Sequence, residues 1–293
     1  MAEPHPGASR TAVLVCQGRA VADGRLAPGR FADPVAMSLL RPDERAAVQR
    51  ARTDVPPRGV AARMEYESLS ALAETMVPRT VAIDDAVAAR ANPQLVILGA
   101  GLDGRAWRMA ELSDVDVYEV DRPASQADKR DRAAALEPIV RSLRWVSADL
   151  AHDPLGPTLA AAGHDEASPT SWIWEGVVPY LSRADVAATV RALTVRSAKG
   201  SRLVVSYQSP SLKATLGLGA ARLTARLSRR PDPMAGEPRR SAWTPVRLGE
   251  LLTAAGWAVA TDDDLLTVAG RLGTTSRYPA STRAGRVAVA DRP

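Results

Sequence analysis

The stretch Leu95-Val96-Ile97-Leu98-Gly99-Ala100-Gly101-Leu102-Asp103-Gly104-Arg105 decides how this chain is read. Its four leading apolar residues are too few to span a bilayer and run straight into glycines, the pattern of a short strand buried on both faces. Gly99 and Gly101 let the backbone turn sharply and let a ligand approach without a Cβ in the way. A helical turn through Trp107 and Met109 follows. A second strand over residues 115–120 then leads to two acids, Glu119 and Asp121. A strand, a glycine turn, a helix and a second strand closed by an acid make half of a nucleoside-binding sheet, in which the acid can accept both ribose hydroxyls. The ligand class at this point is adenosine-containing.

Working outward, strands are predicted at 94–98, 115–120, 142–147, 171–175 and 202–207, alternating with helices near 103–110, 123–136, 154–162, 183–196 and 245–255. Two last strands are expected at 257–261 and 287–290. This alternation marks a parallel sheet with helices on both faces. Before it, helical spacing recurs at 10–22, behind a Ser9-Arg10-Thr11 cap, and at 35–40, 43–51, 60–75 and 81–91, with Pro78-Arg79-Thr80 dividing the last two. Residues 1–92 therefore read as an N-terminal helical cap continuous with an α/β core over 93–293. A proline- and arginine-rich insertion at 210–240, helical over 212–227, stands apart from the sheet as a lid. Its Leu212, Leu216, Leu223 and Leu227 share one face beneath Arg222, Arg226, Arg229, Arg230, Arg239 and Arg240. An amphipathic lid with a solvated arginine face accounts for it, and so does a lid closing over an anionic acceptor.

The bulk numbers bound the function. With 46% hydrophobic residues in 293, the chain can bury a sizeable core. Cys16 is the only cysteine, so no internal disulfide forms, and its apolar neighbours predict a buried thiol. No apolar run approaches the roughly 18 residues that cross a bilayer. The polar, Pro/Gly-containing residues 1–7 predict no secretory signal, which makes the cytoplasm the expected location. The net charge of +5 invites a nucleic-acid reading, but only Lys129, Lys199 and Lys213 are lysines among 38 basic residues. An arginine-for-lysine bias with interleaved acids is compositional, so a nucleic-acid partner is not expected. No cluster of histidines and cysteines is present to predict a metal.

Gly99, Gly101 and Gly104 satisfy G-x-G-x-x-G, and Asp121 lies 20 residues beyond Gly101, so a nicotinamide dinucleotide fits as well as S-adenosylmethionine does. Three features favour the latter. A pyrophosphate would need the helix N-terminus where Asp103 places a carboxylate. Ala148-Asp149-Leu150 ends the third strand with an acid able to accept from an adenine amino group, beside a backbone N–H able to donate to the ring. None of Tyr66, Tyr118, Tyr180, Tyr207 and Tyr278 has a lysine four residues on, as a Tyr-x-x-x-Lys pair requires.

The ordered set Pro78-Arg79-Thr80, Ile83-Asp84, Gly99 to Arg108, Tyr118-Glu119-Val120-Asp121-Arg122-Pro123, Gln126, Lys129-Arg130, Asp149-Leu150, Glu175 to Leu181 and Ser206-Tyr207-Gln208 resembles the leucine carboxyl methyltransferase family, in particular its bacterial branch. Arg10-Thr11-Ala12 and Asp33-Pro34-Val35-Ala36 extend the likeness upstream. The resemblance implies a class I methyltransferase with a Rossmann-like seven-stranded sheet, binding S-adenosyl-L-methionine and methylating an oxygen of a small natural product, as monomer or homodimer. It implies that Gly99 and Gly101 pass beside the cofactor, that Asp121 holds the ribose, and that Asp149 and Leu150 hold the adenine. Arg79 would pair with the methionine carboxylate and Glu175 with its amino group, and Tyr180 and Tyr207 would stand where donor and acceptor meet. One more basic residue near the N-terminus belongs to the pattern, with Arg19 and Arg30 both suitable.

Each has a plainer reading. Asp149 can cap the next helix, Arg79 can make a surface salt bridge, and the two tyrosines can pack. His5, His152 and His164 fall in loops and receive no chemical role. A carboxylate acceptor, ionised at pH 7, needs no general base. A phenol, a protein or tRNA acceptor, and a non-catalytic binding protein are the remaining alternatives.

Overall fold

The computed structural model describes residues 9–53, 55–210 and 240–293. Seven strands form one sheet: β1 (Gln94–Leu98), β2 (Asp116–Asp121), β3 (Ser142–Ser147), β4 (Thr170–Trp174), β5 (Arg202–Gln208), β6 (Ala258–Asp264) and β7 (Gly285–Asp291). Their order is β3-β2-β1-β4-β5-β7-β6, with only β7 antiparallel to its neighbours. Every residue of β1 and of β4 is buried, the polar Gln94, Thr170 and Ser171 at their N-terminal ends included. Side chains alternate between faces: Val96, Leu98, Trp172 and Trp174 enter one core, Leu95, Ile97 and Ile173 the other.

The strand order reverses between β1 and β4, because β2 lies to one side of β1 and β4 to the other. The connections leaving the two strands diverge there and open a crevice beyond their C-terminal ends. This one topological fact places the glycine turn after β1 opposite Glu175 after β4.

Three helices precede the sheet: α1 (Arg10–Ala22), α2 (Pro42–Arg52) and α3 (Val60–Ala88). Residues 35–40, expected as a helix, form successive turns. The division expected at Pro78 does not occur either, since α3 runs through it. A proline inside a helix costs about 3 kcal/mol in a lost hydrogen bond and a ring clash. Beyond it, Val81, Ile83 and Val87 are at most 3% exposed, and each contributes roughly 1.5–3 kcal/mol by burial. Burial wins, and Arg79 is thereby held on a helix rather than on a turn. Cys16 on α1 is buried as expected, its Sγ 3.3 Å from the carbonyl of Ala36 and its thiol pushed up to about 12 by burial.

The helix expected at 103–110 shrinks to α4 (Arg105–Arg108), because Met109 turns extended to bury its side chain, and a 3-10 turn Ala110–Leu112 follows. Helix α5 (Pro123–Arg132) follows β2. Its Gln126 Nε2 donates to the carbonyls of Glu119 and Val146 at 2.9 and 2.7 Å, which ties the ends of β2 and β3 together. β6 continues past the expected stop at residue 261 through Asp262-Asp263-Asp264, acids suited to a sheet edge. Helices Leu265–Arg271 and Pro279–Ala284 were not expected, although Asp264 caps the first by accepting from Leu266 and Thr267 N–H. The lid and its helix at 212–227 lie outside the described residues. Among those residues no helix is long and apolar enough to cross a membrane.

Candidate functional site

A cleft of about 350 Å³ opens at the strand-order reversal. Gly99 (φ +64°) and Gly101 (φ +48°) form its floor in the left-handed region that disfavours side chains. A Cβ on Gly99 would come within 2.3 Å of Val177 Cγ2, and one on Gly101 within 3.0 Å of the Ala12 Cβ. The glycines therefore admit protein neighbours, the loop after β4 and helix α1, as closely as they admit a ligand.

Asp121 closes β2. Its Oδ2 accepts from Gly101 N–H at 2.7 Å and its Oδ1 from Arg122 N–H at 2.7 Å. The carboxylate is thus pinned by the turn it serves, with lone pairs left for two hydroxyls. Asp149 follows β3 and lines the cleft beside Leu150; it does not cap the next helix (Leu155–Ala161), as the plainer reading allowed, but braces the turn before it, its Oδ1 accepting from Ala151 N–H at 2.9 Å. His152, given no role above, stands on the cleft rim with Nδ1 3.3 Å from Asp149 Oδ2. Burial raises the Asp149 carboxyl, but the Ala151 N–H and His152 outweigh it and hold it below its ordinary value.

Arg79 from α3 and Glu175 from the end of β4 meet in the cleft at 2.8 Å, 11% and 10% exposed. They form an ion pair without hydrogen-bond geometry, so Arg79 Nε and Glu175 Oε1 are buried atoms short of a hydrogen-bond partner. Burial raises the Glu175 carboxyl, but Arg79 and Arg105 outweigh it and hold it below its usual range. Burial lowers Arg79; Glu175 opposes this, while Arg19 and Arg105 add to it.

Of the two N-terminal candidates, Arg19 is the one at the cleft. It lines the cleft, with Nε 2.8 Å from Asp33 Oδ2 and Nη2 donating to the carbonyl of Leu102 at 2.6 Å. Arg30 is exposed and pairs with Asp85. Tyr180 lines the cleft from the turn Val178–Tyr180, whose Pro179 carbonyl accepts from Arg240 N–H at 2.7 Å, and Arg240 also lines the cleft.

One expectation is corrected. Tyr207 is 1% exposed and is not among the cleft-lining residues; its hydroxyl donates to Asp262 Oδ2 at 2.6 Å and lies 3.1 Å from Arg286 Nε. Its strand position pointed it into the sheet's core, where it joins β5 to β6 and β7. Asp103 places its carboxylate at the N-terminus of α4 as expected, accepting from Arg105 N–H at 2.8 Å, and is buried there against the Arg105 guanidinium. Glu119, at the end of the same acidic run as Asp121, is fully buried 2.5 Å from Lys129 Nζ.

Sequence reading did not single out the charge system behind the cleft. Arg19, Arg79, Arg105 and Arg108 interleave with Asp33, Asp84, Asp103 and Glu175 in one connected chain of ion pairs. Four positive and four negative groups leave it neutral, as burial demands. The motifs Asp33-Pro34, Ile83-Asp84 and Gly104-Arg105 carried these residues, but their pairing crosses the whole chain.

The sheet order, the glycine turn and the strand-end acids around one cleft define the class I methyltransferase fold. A crystal structure of a predicted methyltransferase of Thermobifida fusca shares it at a TM-score of 0.54 and 16% identity, covering 98% of this chain and 96% of that one. The chain belongs to the leucine carboxyl methyltransferase family, whose pattern it matches over residues 12–194. It is 34% identical over 180 residues to a predicted S-adenosyl-L-methionine-dependent methyltransferase of Streptomyces coelicolor, covering 59% of this chain and 63% of that protein. It is 36% identical over 203 residues to another of Frankia alni, covering 67% and 68%. The matches to the curated relatives span between 37% and 68% of those relatives' own length. The glycine spacing that also suits a dinucleotide is thereby assigned to the methyltransferase class.

Proposed function

We propose that the chain is an S-adenosyl-L-methionine-dependent O-methyltransferase that methylates a carboxylate of a small molecule. The observation that carries the cofactor is the Arg79–Glu175 pair in the cleft. A methionine tail is a zwitterion and needs one cation and one anion side by side. Arg79 offers a planar fork to its carboxylate and Glu175 accepts from its ammonium. Asp121 would take the ribose hydroxyls, and Asp149 with Leu150 would border the adenine.

When bound, S-adenosylmethionine supplies an electrophilic methyl group on a sulfonium. The chain's task is then to hold an acceptor oxygen in line with that methyl and to keep water out. Arg240 and Tyr180, joined through Pro179, offer a cation and a phenol to an anionic acceptor. A carboxylate arrives ionised and asks for no base, which suits a cleft where, among the described residues, the lining contains one histidine, His152, paired with Asp149 at the rim.

Calorimetry with S-adenosylmethionine against NAD is expected to show binding of the first alone. Incubation with S-adenosylmethionine and matched carboxylic acids and phenols, read by mass spectrometry, is expected to yield methyl esters and S-adenosylhomocysteine. Methylation of phenols with the acids untouched would sink the carboxylate reading. Binding with no S-adenosylhomocysteine from any acceptor, protein and tRNA included, would mark a non-catalytic binding protein.

A further inference from the structure

Glu175 is the one member of the proposed tail site that must keep its charge and position while its partner leaves. In the structure Arg79 neutralises it at 2.8 Å. A zwitterion docking between the two takes over both partners, Arg79 turning to the carboxylate and Glu175 to the ammonium. A carboxylate left with a single mobile counterion would be free to swing or to take up a proton. Glu175 has a second partner. Arg105 Nη1 donates to Glu175 Oε2 at 2.9 Å, and the same guanidinium is fixed on two other sides. Its Nε donates to Asp84 Oδ1 at 2.6 Å, and Nη1 also pairs with Asp103. Its side chain is 2% exposed, so water does not compete for any of these bonds. Asp84 sits on α3, five residues beyond Arg79, so the two sides of the tail site share one helix.

We infer that Arg105 is a positioning residue for the amino-acid tail of the cofactor: it clamps Glu175 Oε2 through a guanidinium anchored on Asp84 and Asp103, leaving Oε1 for the ammonium. The inference rests on the functional reading above. Arg105 touches no ligand in this scheme and acts only through Glu175. The atom left without a hydrogen bond on Glu175 is Oε1, the one not held by Arg105.

The test compares S-adenosylhomocysteine with 5′-methylthioadenosine, which lacks the amino-acid tail. Calorimetry on the full chain measures both affinities in wild type, in Arg105→Lys and in Asp84→Asn. Lysine keeps the charge but not the fork, so the variant avoids the heavy cost of a buried unpaired carboxylate. Loss of one charge-assisted bond to Glu175 is expected to weaken S-adenosylhomocysteine about tenfold while methylthioadenosine stays within about twofold. Asp84→Asn loosens the anchor and is expected to lower the same preference by about threefold, a second readout should the lysine variant not fold. A merely structural role would weaken both ligands together, and that result overturns the assignment. So does an Arg105→Lys protein with the wild-type preference. A wild-type protein that binds S-adenosylhomocysteine no better than methylthioadenosine would overturn the tail reading itself.

Discussion

Replacing Gly99 by alanine tests whether the glycine turn is shaped by its protein neighbour as well as by its ligand. Two costs follow from the geometry. At φ +64° an L side chain is strained by about 1–2 kcal/mol. The new Cβ would also sit 2.3 Å from Val177 Cγ2, whereas carbon atoms rest at about 3.5–4.0 Å. Relieving that overlap by moving the loop after β4 costs about 1–3 kcal/mol more. Gly99→Ala is thus expected to lose about 2–5 kcal/mol of stability and to weaken S-adenosylhomocysteine binding, because Val177 borders the cleft. Val177→Ala in the same chain removes the offending methyl and should return the overlap part, leaving about 1–2 kcal/mol of backbone strain. Gly176→Ala is the control: its φ is +72° but nothing stands within 4 Å of its missing Cβ, so only strain applies. Urea unfolding and calorimetry on wild type and the three variants read both quantities. A Gly99→Ala protein within about 0.5 kcal/mol of wild type, or no recovery in the double variant, would refute the reasoning.

Tyr207→Phe is expected to cost about 1–2 kcal/mol, because Asp262 and Arg286 lose a shared hydroxyl, and to leave S-adenosylhomocysteine affinity within about twofold. A tenfold loss by calorimetry would return Tyr207 to the site. His164 gives a pH dependence: burial, aided by Arg196, lowers its pKa from 6.5 to about 4. The folded state therefore favours the neutral ring, and its contribution is complete above about 6.5 and is lost as pH falls through about 4. Between pH 7.5 and 5 that loss is about 2 kcal/mol. Glu119 has the opposite sign, its carboxyl raised by burial to about 7 against Lys129, so its contribution is complete below about 4.5 and is lost as pH rises through about 7. The wild-type profile should be nearly flat over this window, and His164→Gln should gain about 2 kcal/mol relative to wild type on going to pH 5. Urea midpoints at the two pH values that shift in parallel for both proteins would count against the buried neutral histidine.

What the sequence determined by itself is what short-range pattern can carry. An apolar run between turn residues means a strand covered on both sides, which is why β1 fell at its observed bounds. The Gly99-to-Gly104 turn and Asp121 encode a nucleoside cradle within 23 residues, and α5 with its Gln126 staple follows in the same unit. Residues lining the cleft were legible where they sit at strand ends, since the end of a parallel strand faces the crevice whatever the rest of the chain does. The tertiary structure alone decided which charges meet. Arg79 and Glu175 stand on different elements, and only the reversal of strand order between β1 and β4 brings α3 over the exit of β4. The same long-range packing neutralises Asp103 with Arg105, buries Tyr207 away from the cleft against Asp262, chooses Arg19 over Arg30, and keeps α3 continuous through Pro78. Periodicity records which face of an element is buried; it holds no record of which other element covers that face, and ion pairs are made across that boundary.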